Sequence, residues 1–250
     1  MRYFIEFSYF GKSYHGWQRQ PNAISVQEVL EEVFSTLTGD EKFLVAAGRT
    51  DTGVHAKQMY AHFESDKIED TVDLVFRLNS FLPEDISVKR IFEVSAEAHA
   101  RFNATERTYE YWLVQQKNPF YSDTAHYVNR QLDIQKMNKA AKMLLEYTDF
   151  ECFSKSQTDV KTYLCDLKKA KWQATEDCLV FSITADRFLR NMVRAVVGTL
   201  LEVGLGKWTI DDVKYILESK DRSKAGTSVP AKGLYLVDIK YPEKIIKSSL

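Results

Sequence analysis

The chain has 250 residues and a nearly balanced charge, with 34 lysines and arginines against 35 aspartates and glutamates. Hydrophobic residues make up 44% of the sequence and charged residues 28%, which excludes a disordered or collagen-like chain and allows one large domain or two of average size. The net charge of -1 gives no global indication of nucleic-acid binding, so any such indication must come from local charge.

Neither a membrane segment nor a metal site is expected. No apolar run approaches the roughly 18 to 20 residues that span a bilayer, and the N-terminal sequence lacks the pattern of a signal peptide, so we expect a soluble, cytoplasmic protein. Cys152, Cys165 and Cys178 lie too far apart for a close zinc-binding or redox pair, and the histidines follow no ligand spacing. We therefore predict reduced thiols, no metal and no cofactor, since phosphate-binding and dinucleotide motifs are also missing from the sequence.

The first hundred residues predict the element order βαββαβ. Residues 2–9 alternate between apolar and polar side chains, as a strand does. Ser25 and Glu28 form a capping box in front of an amphipathic helix. Strands are also predicted at 42–47, 57–63 and 86–94, and a helix at 71–79.

The same order begins again near residue 105. A strand at 105–116 precedes a helix capped by Asp133, and a later helix is capped by Thr209. Strands are predicted at 160–173, 179–184 and 234–240, and a further helix at 188–203. The repeat predicts an α+β fold of two fused ferredoxin-like (RNP-like) βαββαβ halves, residues 1–104 and 105–250, with antiparallel or mixed sheets around a central cleft.

A polar loop between two short predicted strands carries the most unusual sequence, AAGRTDTGVHA at residues 46–56. Its glycines permit close approach of another chain or a ligand to Asp51 at the tip. An aspartate in such a turn commonly bonds its own backbone, so the residues alone allow a turn role as well as a catalytic one. The triplet DTG also occurs in aspartic proteases, but the neighbouring Arg49 opposes proton sharing by two carboxylates.

This loop resembles the nucleophile motif of the TruA family of tRNA pseudouridine synthases. Further segments resemble that family in chain order: YFGKSYHGWQRQP at 9–21, SVQ at 25–27, ARFNAT and RTYEY at 100–111, FLRNMVR at 188–194, and PAKGL at 230–234. The sequence departs from the family pattern at Phe10, where an acidic residue is common, and matches it only loosely at 153–165. The resemblance implies an isomerase that converts uridines 38, 39 and 40 of the tRNA anticodon stem-loop to pseudouridine, without metal or cofactor, as a homodimer.

The resemblance also implies roles for individual residues. It makes Asp51 the nucleophile, Arg194 from the other half its partner in a basic cleft, and Tyr109 the residue at the uracil. Arg49 matches a position that enters the space left by a flipped base. Arg187, Arg190 and Arg194 are spaced to share one face of the predicted helix 188–203, with Arg194 turned to Asp51 and the other two to substrate phosphates.

Other interpretations remain open for these residues and for the whole chain. From context alone Tyr109 reads as a core or cross-strand aromatic, Arg49 can be a turn residue, and the arginine face can be a solvated surface. Local lysine and arginine clusters at 168–171 and 220–224 are similarly either solvated or RNA-binding. The alternative function is a non-catalytic RNA-binding module of ferredoxin-like fold. KGLYLV at 232–237 weakly resembles an RNA-binding signature, with leucines where stacking aromatics are expected.

Overall fold

The computed structural model describes residues 1–155 and 160–245, and the chain forms two compact units. The first unit is Met1–Glu106 together with the segment from Leu236 onward, and the second is Arg107–Tyr235. Among the described residues there are nine strands, mostly antiparallel, and five α-helices, which confirms the α+β class. No helix in this part of the chain is long and apolar enough to cross a membrane.

The first unit has β1 as its central strand. Its elements are β1 (Arg2–Tyr9), α1 (Val26–Thr38), β2 (Val45–Ala46), β3 (His55–Glu64), α2 (Thr71–Phe81) and β4 (Ile86–Glu93). Strand β1 pairs antiparallel with both β3 and β4, and β2 pairs antiparallel with β3. The predicted capping box forms, since the Ser25 side chain accepts from the Glu28 amide and the Glu28 side chain from the Ser25 amide.

The two faces of this sheet differ in chemistry because side chains alternate along β1. On one face Tyr3 stacks on Phe63, which in turn meets Phe34 of α1 edge-on. On the other face the buried Glu6 accepts hydrogen bonds from Arg90 and Gln58. The first face forms the hydrophobic core under the helices, and the second carries polar and aromatic side chains.

The second unit is built around β8. Its elements are β5 (Glu106–Val114), β6 (His126–Tyr127), α3 (Ile134–Met143), β7 (Leu167–Ala174), β8 (Leu179–Ala185), α4 (Met192–Gly204) and α5 (Ile210–Ser219), followed by β9 (Leu234–Lys240), which ends in the first unit. Strand β8 pairs antiparallel with β5 and β7, whereas β6 is parallel to β5. Asp133 and Thr209 cap α3 and α5 as predicted.

Two predicted strands are shorter than expected, for local reasons. Strand β2 covers only two of residues 42–47, because the amides of Lys42 and Leu44 donate to side chains of α1 at Ser35 and Glu31. The strand predicted at 160–173 begins at Leu167, because residues 163–165 pair with the loop at 148–150. Part of the loosely matching segment, residues 156–159, lies outside the described residues.

The helix predicted at 188–203 begins four residues late, at Met192. Asn191 precedes it in the left-handed conformation, with φ of 66°. A helix cannot continue through such a residue, and asparagine is among the few side chains that tolerate it. This correction changes the placement of the predicted arginines.

The three cysteines are buried and form no disulfide. Burial raises the pKa of Cys152 and of Cys165 to about 12, so both thiols are protonated at neutral pH. They pack as small apolar groups, as the spacing predicts.

Candidate active-site segments

Asp51 lies in an irregular loop, residues 47–54, between β2 and β3 of the first unit. The loop begins where the Ala47 amide donates to the Tyr60 carbonyl, 2.8 Å away. Its tip is a tight turn, in which the Val54 amide donates to the Asp51 carbonyl over 3.1 Å and Gly53 has φ of 76°. Asp51 is half-buried, while Arg49 is exposed at the start of the turn.

The N-terminal loop, residues 10–17, holds the Asp51 loop on both sides of the aspartate. The Trp17 amide donates to the Thr50 carbonyl, and the Gly53 amide donates to the Tyr14 carbonyl, each over 3.3 Å. Because these bonds hold main-chain groups one residue before and two residues after Asp51, they fix the position of its backbone rather than that of one side-chain rotamer.

Two glycines make this close approach possible. A Cβ atom added to Gly16 would lie 2.3 Å from the Thr50 carbonyl oxygen, and one added to Gly11 would lie 2.0 Å from the Val54 carbonyl oxygen. Gly16 also has φ of +86°, a conformation that other residues rarely adopt. The loop containing Asp51 therefore has its present position only with glycine at these sites.

An aromatic stack completes the support of this loop. The Phe10 ring lies parallel to the His55 ring, with centroids 4.2 Å apart and an interplanar angle of 13°. The Nδ1 atom of His55 accepts a hydrogen bond from the Gly11 amide over 2.9 Å. The departure from the family pattern at Phe10 is thus accommodated by packing against a buried histidine.

In the second unit, Tyr109 lies on β5 opposite Ile183 of β8 and is half-buried. Its ring meets the Phe188 ring edge-on, with centroids 5.1 Å apart and an interplanar angle of 87°. The two motif segments RTYEY and FLRNMVR are therefore in direct contact. An edge-on aromatic neighbour restricts the rotation of the tyrosine ring.

Arg194 lies in the first turn of α4 and is half-buried. Its Nε atom donates to the Val229 carbonyl over 2.7 Å, and its own carbonyl accepts from the Val229 amide over 3.2 Å. The helix approaches this segment closely, because a Cβ atom on Gly198 would lie 1.9 Å from the Thr227 carbonyl oxygen. The segment before PAKGL thus holds both the main chain of Arg194 and one edge of its guanidinium group.

The prediction that Arg187, Arg190 and Arg194 share one helical face is wrong. Arg187 and Arg190 precede α4 and share no helical face with Arg194, because the chain turns through left-handed Asn191, whose side-chain amide donates to the Ser228 hydroxyl over 2.6 Å. Arg187 donates to the Thr162 carbonyl over 3.2 Å. Arg190 is exposed.

Several members of the predicted basic clusters have partners within the protein. Lys220 forms an ion pair with Asp149, and Lys168 forms one with Asp166. Arg222 donates to the Gly226 carbonyl and, over 2.8 Å, to the Ser228 hydroxyl. Arg222 thus helps to hold the segment that packs against α4.

Comparisons with known proteins agree with the motifs. Residues 140–242 match the family model described as tRNA pseudouridine synthase. Proteins called tRNA pseudouridine synthase A from Bacteroides thetaiotaomicron and Parabacteroides distasonis are each 51% identical to this chain, over 98% of it and over 92% and 97% of their own lengths. The protein of that name from Francisella tularensis subsp. holarctica is 37% identical over 99% of this chain and 97% of its own. The chain belongs to the tRNA pseudouridine synthase A family. This confirms the resemblance that the motifs indicate.

Sequence reasoning missed most of the contacts that hold the Asp51 loop of this synthase family member. Tyr14 and Trp17 act through main-chain groups, and His55 acts through its ring nitrogen, so no side-chain pattern identifies the first two. The spacing of Gly11 and Gly16 around an aromatic segment is the one signal that points to close backbone packing there. Among the described residues, no group of three or more histidine, cysteine, aspartate or glutamate side chains is placed to hold a metal ion.

Proposed function

We propose that this protein isomerises uridine to pseudouridine at positions 38, 39 and 40 of the tRNA anticodon stem-loop, with Asp51 as its nucleophile. The observation that carries the proposal is a family motif held rigidly by Trp17, Tyr14 and two close glycines, in a chain half identical to named tRNA pseudouridine synthases. A nucleophile must be held within about 1 Å of its reactive position, and main-chain bonds on both sides of Asp51 favour such precision.

The reaction requires only rearrangement of the substrate. The N1–C1′ bond of uridine breaks, the uracil turns, a C5–C1′ bond forms, and C5 loses a proton while N1 gains one. Atoms and electrons balance without an oxidant, a reductant or a nucleotide cofactor. A carboxylate is a competent covalent catalyst for such a step, and this is the role given to Asp51.

Arg194 is proposed as the positioning partner of the Asp51 carboxylate. A guanidinium offers two parallel N–H donors that match the two oxygens of a carboxylate, whereas a lysine offers a point charge. The bond from Nε to the Val229 carbonyl supports this role, because it restricts rotation of the guanidinium plane.

Tyr109 is proposed to stack on the flipped uracil and to assist removal of the C5 proton through its hydroxyl group. The edge-on contact with Phe188 supports this role by restraining the ring. Arg49, exposed within the Asp51 loop, is proposed to fill the space vacated by the flipped base. Arg187 and Arg190 are proposed to bind phosphates from the loop before α4.

The finer architecture belongs to the same proposal. Each half, residues 1–104 and 105–250, is taken to be ferredoxin-like, and the βαββαβ order from β1 to β4 supports this for the first. The active form is proposed to be a homodimer in the cytoplasm, where its tRNA substrate is found. Sedimentation equilibrium tests the homodimer. A molecular mass of one chain, 28.9 kDa, at working concentration would contradict it.

The function is tested by mapping pseudouridine after incubation with an unmodified tRNA transcript that has uridine at 38, 39 and 40. We expect pseudouridine at these sites. A matched transcript with cytidine at the three sites should contain no new pseudouridine. Tight binding of the first transcript without pseudouridine would contradict the proposal and favour the non-catalytic RNA-binding module.

A further inference from the structure

A column of planar side chains in the first unit ends at an exposed ring. It starts at the buried His62 of β3, whose ring centroid is 4.5 Å from that of His99. The His99 ring lies 4.3 Å from the Phe102 ring, and the Arg101 guanidinium carbon lies 5.7 Å from the centre of the same ring. Phe102 is 74% exposed, so most of its surface is open to solvent.

The loop that carries Phe102, residues 98–103, is tied to the sheet below it. The Ala100 amide donates to Nδ1 of His62 over 3.1 Å, and the Ala100 carbonyl accepts from the Tyr241 hydroxyl over 2.6 Å. Arg2 of β1 donates to the Ala98 carbonyl over 3.0 Å. Loops with this many anchors lose little conformational entropy when a ligand binds.

The loop is also closed upon itself. The His99 amide donates to the Asn103 side-chain oxygen over 2.6 Å, and the Asn103 amide donates to the His99 carbonyl over 3.0 Å. Nδ1 of His99 accepts from the Arg101 amide over 3.1 Å. Phe102 is thus an exposed aromatic on a rigid turn.

The two histidines are neutral at pH 7. Burial, the neighbouring His99 and the charge of Arg2 lower the pKa of His62 to about 4. Burial, Arg2 and Arg101 lower the pKa of His99 as well. Neutral rings accept the main-chain hydrogen bonds seen here and lie in contact without charge repulsion.

We propose that Phe102 is a stacking platform for an unpaired base of the RNA substrate, with Arg101 beside it to contact that nucleotide. Proteins bind unpaired nucleotides by stacking bases on exposed aromatic rings flanked by cations, and the Phe102 ring is supported from below by tilted contacts with His99 and, through it, His62. Its chain neighbours, Arg101 and Asn103, are polar and offer hydrogen-bond donors to a nucleotide. This inference rests on the proposed function, because it takes RNA as the substrate.

The direct test is the equilibrium affinity of the full chain for an unmodified tRNA transcript. Phe102→Ala should weaken binding by about 5- to 150-fold, which corresponds to the loss of one stacked base. Phe102→Trp should retain the affinity, and its added fluorescence should be quenched when RNA binds. Phe120→Ala is the matched control, since Phe120 is 88% exposed on the other unit, and it should bind as the wild type does.

Salt dependence separates stacking from charge. Phe102→Ala should leave the slope of log affinity against log salt unchanged, because the ring carries no charge. Arg101→Ala should reduce that slope by about one if the guanidinium contacts a phosphate. The proposal would be contradicted if Phe102→Ala bound tRNA with wild-type affinity, or if Phe120→Ala lost as much affinity as Phe102→Ala.

Two further readouts keep the outcomes distinct. If Phe102→Ala changes the sedimentation mass of the protein, the ring contacts another protein chain and the RNA platform is overturned. If the wild type forms no pseudouridine, the proposed function fails whatever Phe102 does. Wild-type turnover combined with unaltered RNA affinity in Phe102→Ala refutes the platform alone. The thermal midpoint should be unchanged, because the ring contributes little to the core.

Discussion

Substituting Gly16 by alanine should move the backbone at Asp51 without changing any side chain of the proposed site. The added Cβ would lie 2.3 Å from the Thr50 carbonyl oxygen, whereas ordinary contacts begin near 3.4 Å. The two loops must therefore separate by about 1 Å. A misplacement of about 1 Å at a reacting group reduces turnover by about 100-fold, so we expect kcat to fall by roughly that factor.

Two other glycines of the same unit separate the possible causes of this loss. Gly48→Ala changes the Asp51 loop itself, but its Cβ would meet nothing within 4 Å. Gly39→Ala imposes the same left-handed strain as Gly16→Ala, with φ of +76°, but in open space at the end of α1. Gly39→Ala should cost about 1 kcal/mol of the free energy of unfolding, and neither control should change kcat by more than about twofold.

The assay is single-turnover formation of pseudouridine, measured beside the affinity for tRNA and the free energy of unfolding of each variant. Gly16→Ala should bind tRNA within about threefold of the wild type, because the shift is confined to the catalytic loop. Wild-type turnover in folded Gly16→Ala would refute the argument that the N-terminal loop positions Asp51. Equal losses of turnover in Gly16→Ala and Gly39→Ala would refute it as well.

Three further variants test other parts of the account. Arg194→Lys should lower kcat by about 10- to 150-fold at unchanged tRNA affinity, because a point charge replaces the guanidinium fork. Quenched single-turnover assays measure the rate of pseudouridine formation. Tyr109→Phe should bind tRNA normally but slow isomerisation by about 100-fold, and an unchanged rate would exclude a role for the hydroxyl. His62→Asn should reduce the loss of unfolding free energy between pH 7 and pH 4.5, which urea titrations at the two pH values measure. The pKa of His62 is about 4 in the folded protein and 6.5 when unperturbed. Its contribution to the free energy of unfolding is therefore complete above pH 6.5 and is lost as the pH falls towards 4, by about 3 kcal/mol at most. Equal pH dependence in both proteins would contradict that shift.

Elements that depend on neighbouring residues were predictable from the sequence. Strand β1 follows from apolar side chains at every second position from Tyr3 to Tyr9, and α1 from the Ser25 capping box and its apolar spacing. Asp133 and Thr209 similarly identify the starts of α3 and α5. In the helices the deciding interactions join residues three or four positions apart, so local pattern and final structure agree.

Features that depend on distant contacts were not predictable in this way. The late start of α4 depends on Asn191, whose side chain bonds to Ser228, 37 residues further along. The support of the Asp51 loop comes from Gly16 and Tyr14, more than thirty residues earlier. The unusual Phe10 is visible in the sequence, but its stacking on His55 is visible only in the structure.

The most direct test of Asp51 as the nucleophile is release of tritium from tRNA labelled at uracil C5. Single-turnover release by the wild type is compared with that of Asp51→Ala and Asp51→Asn, with tRNA affinity measured for each. The account predicts no release above background in either variant, with affinity within about threefold of the wild type. Release in either variant at a rate within tenfold of the wild type would contradict the account.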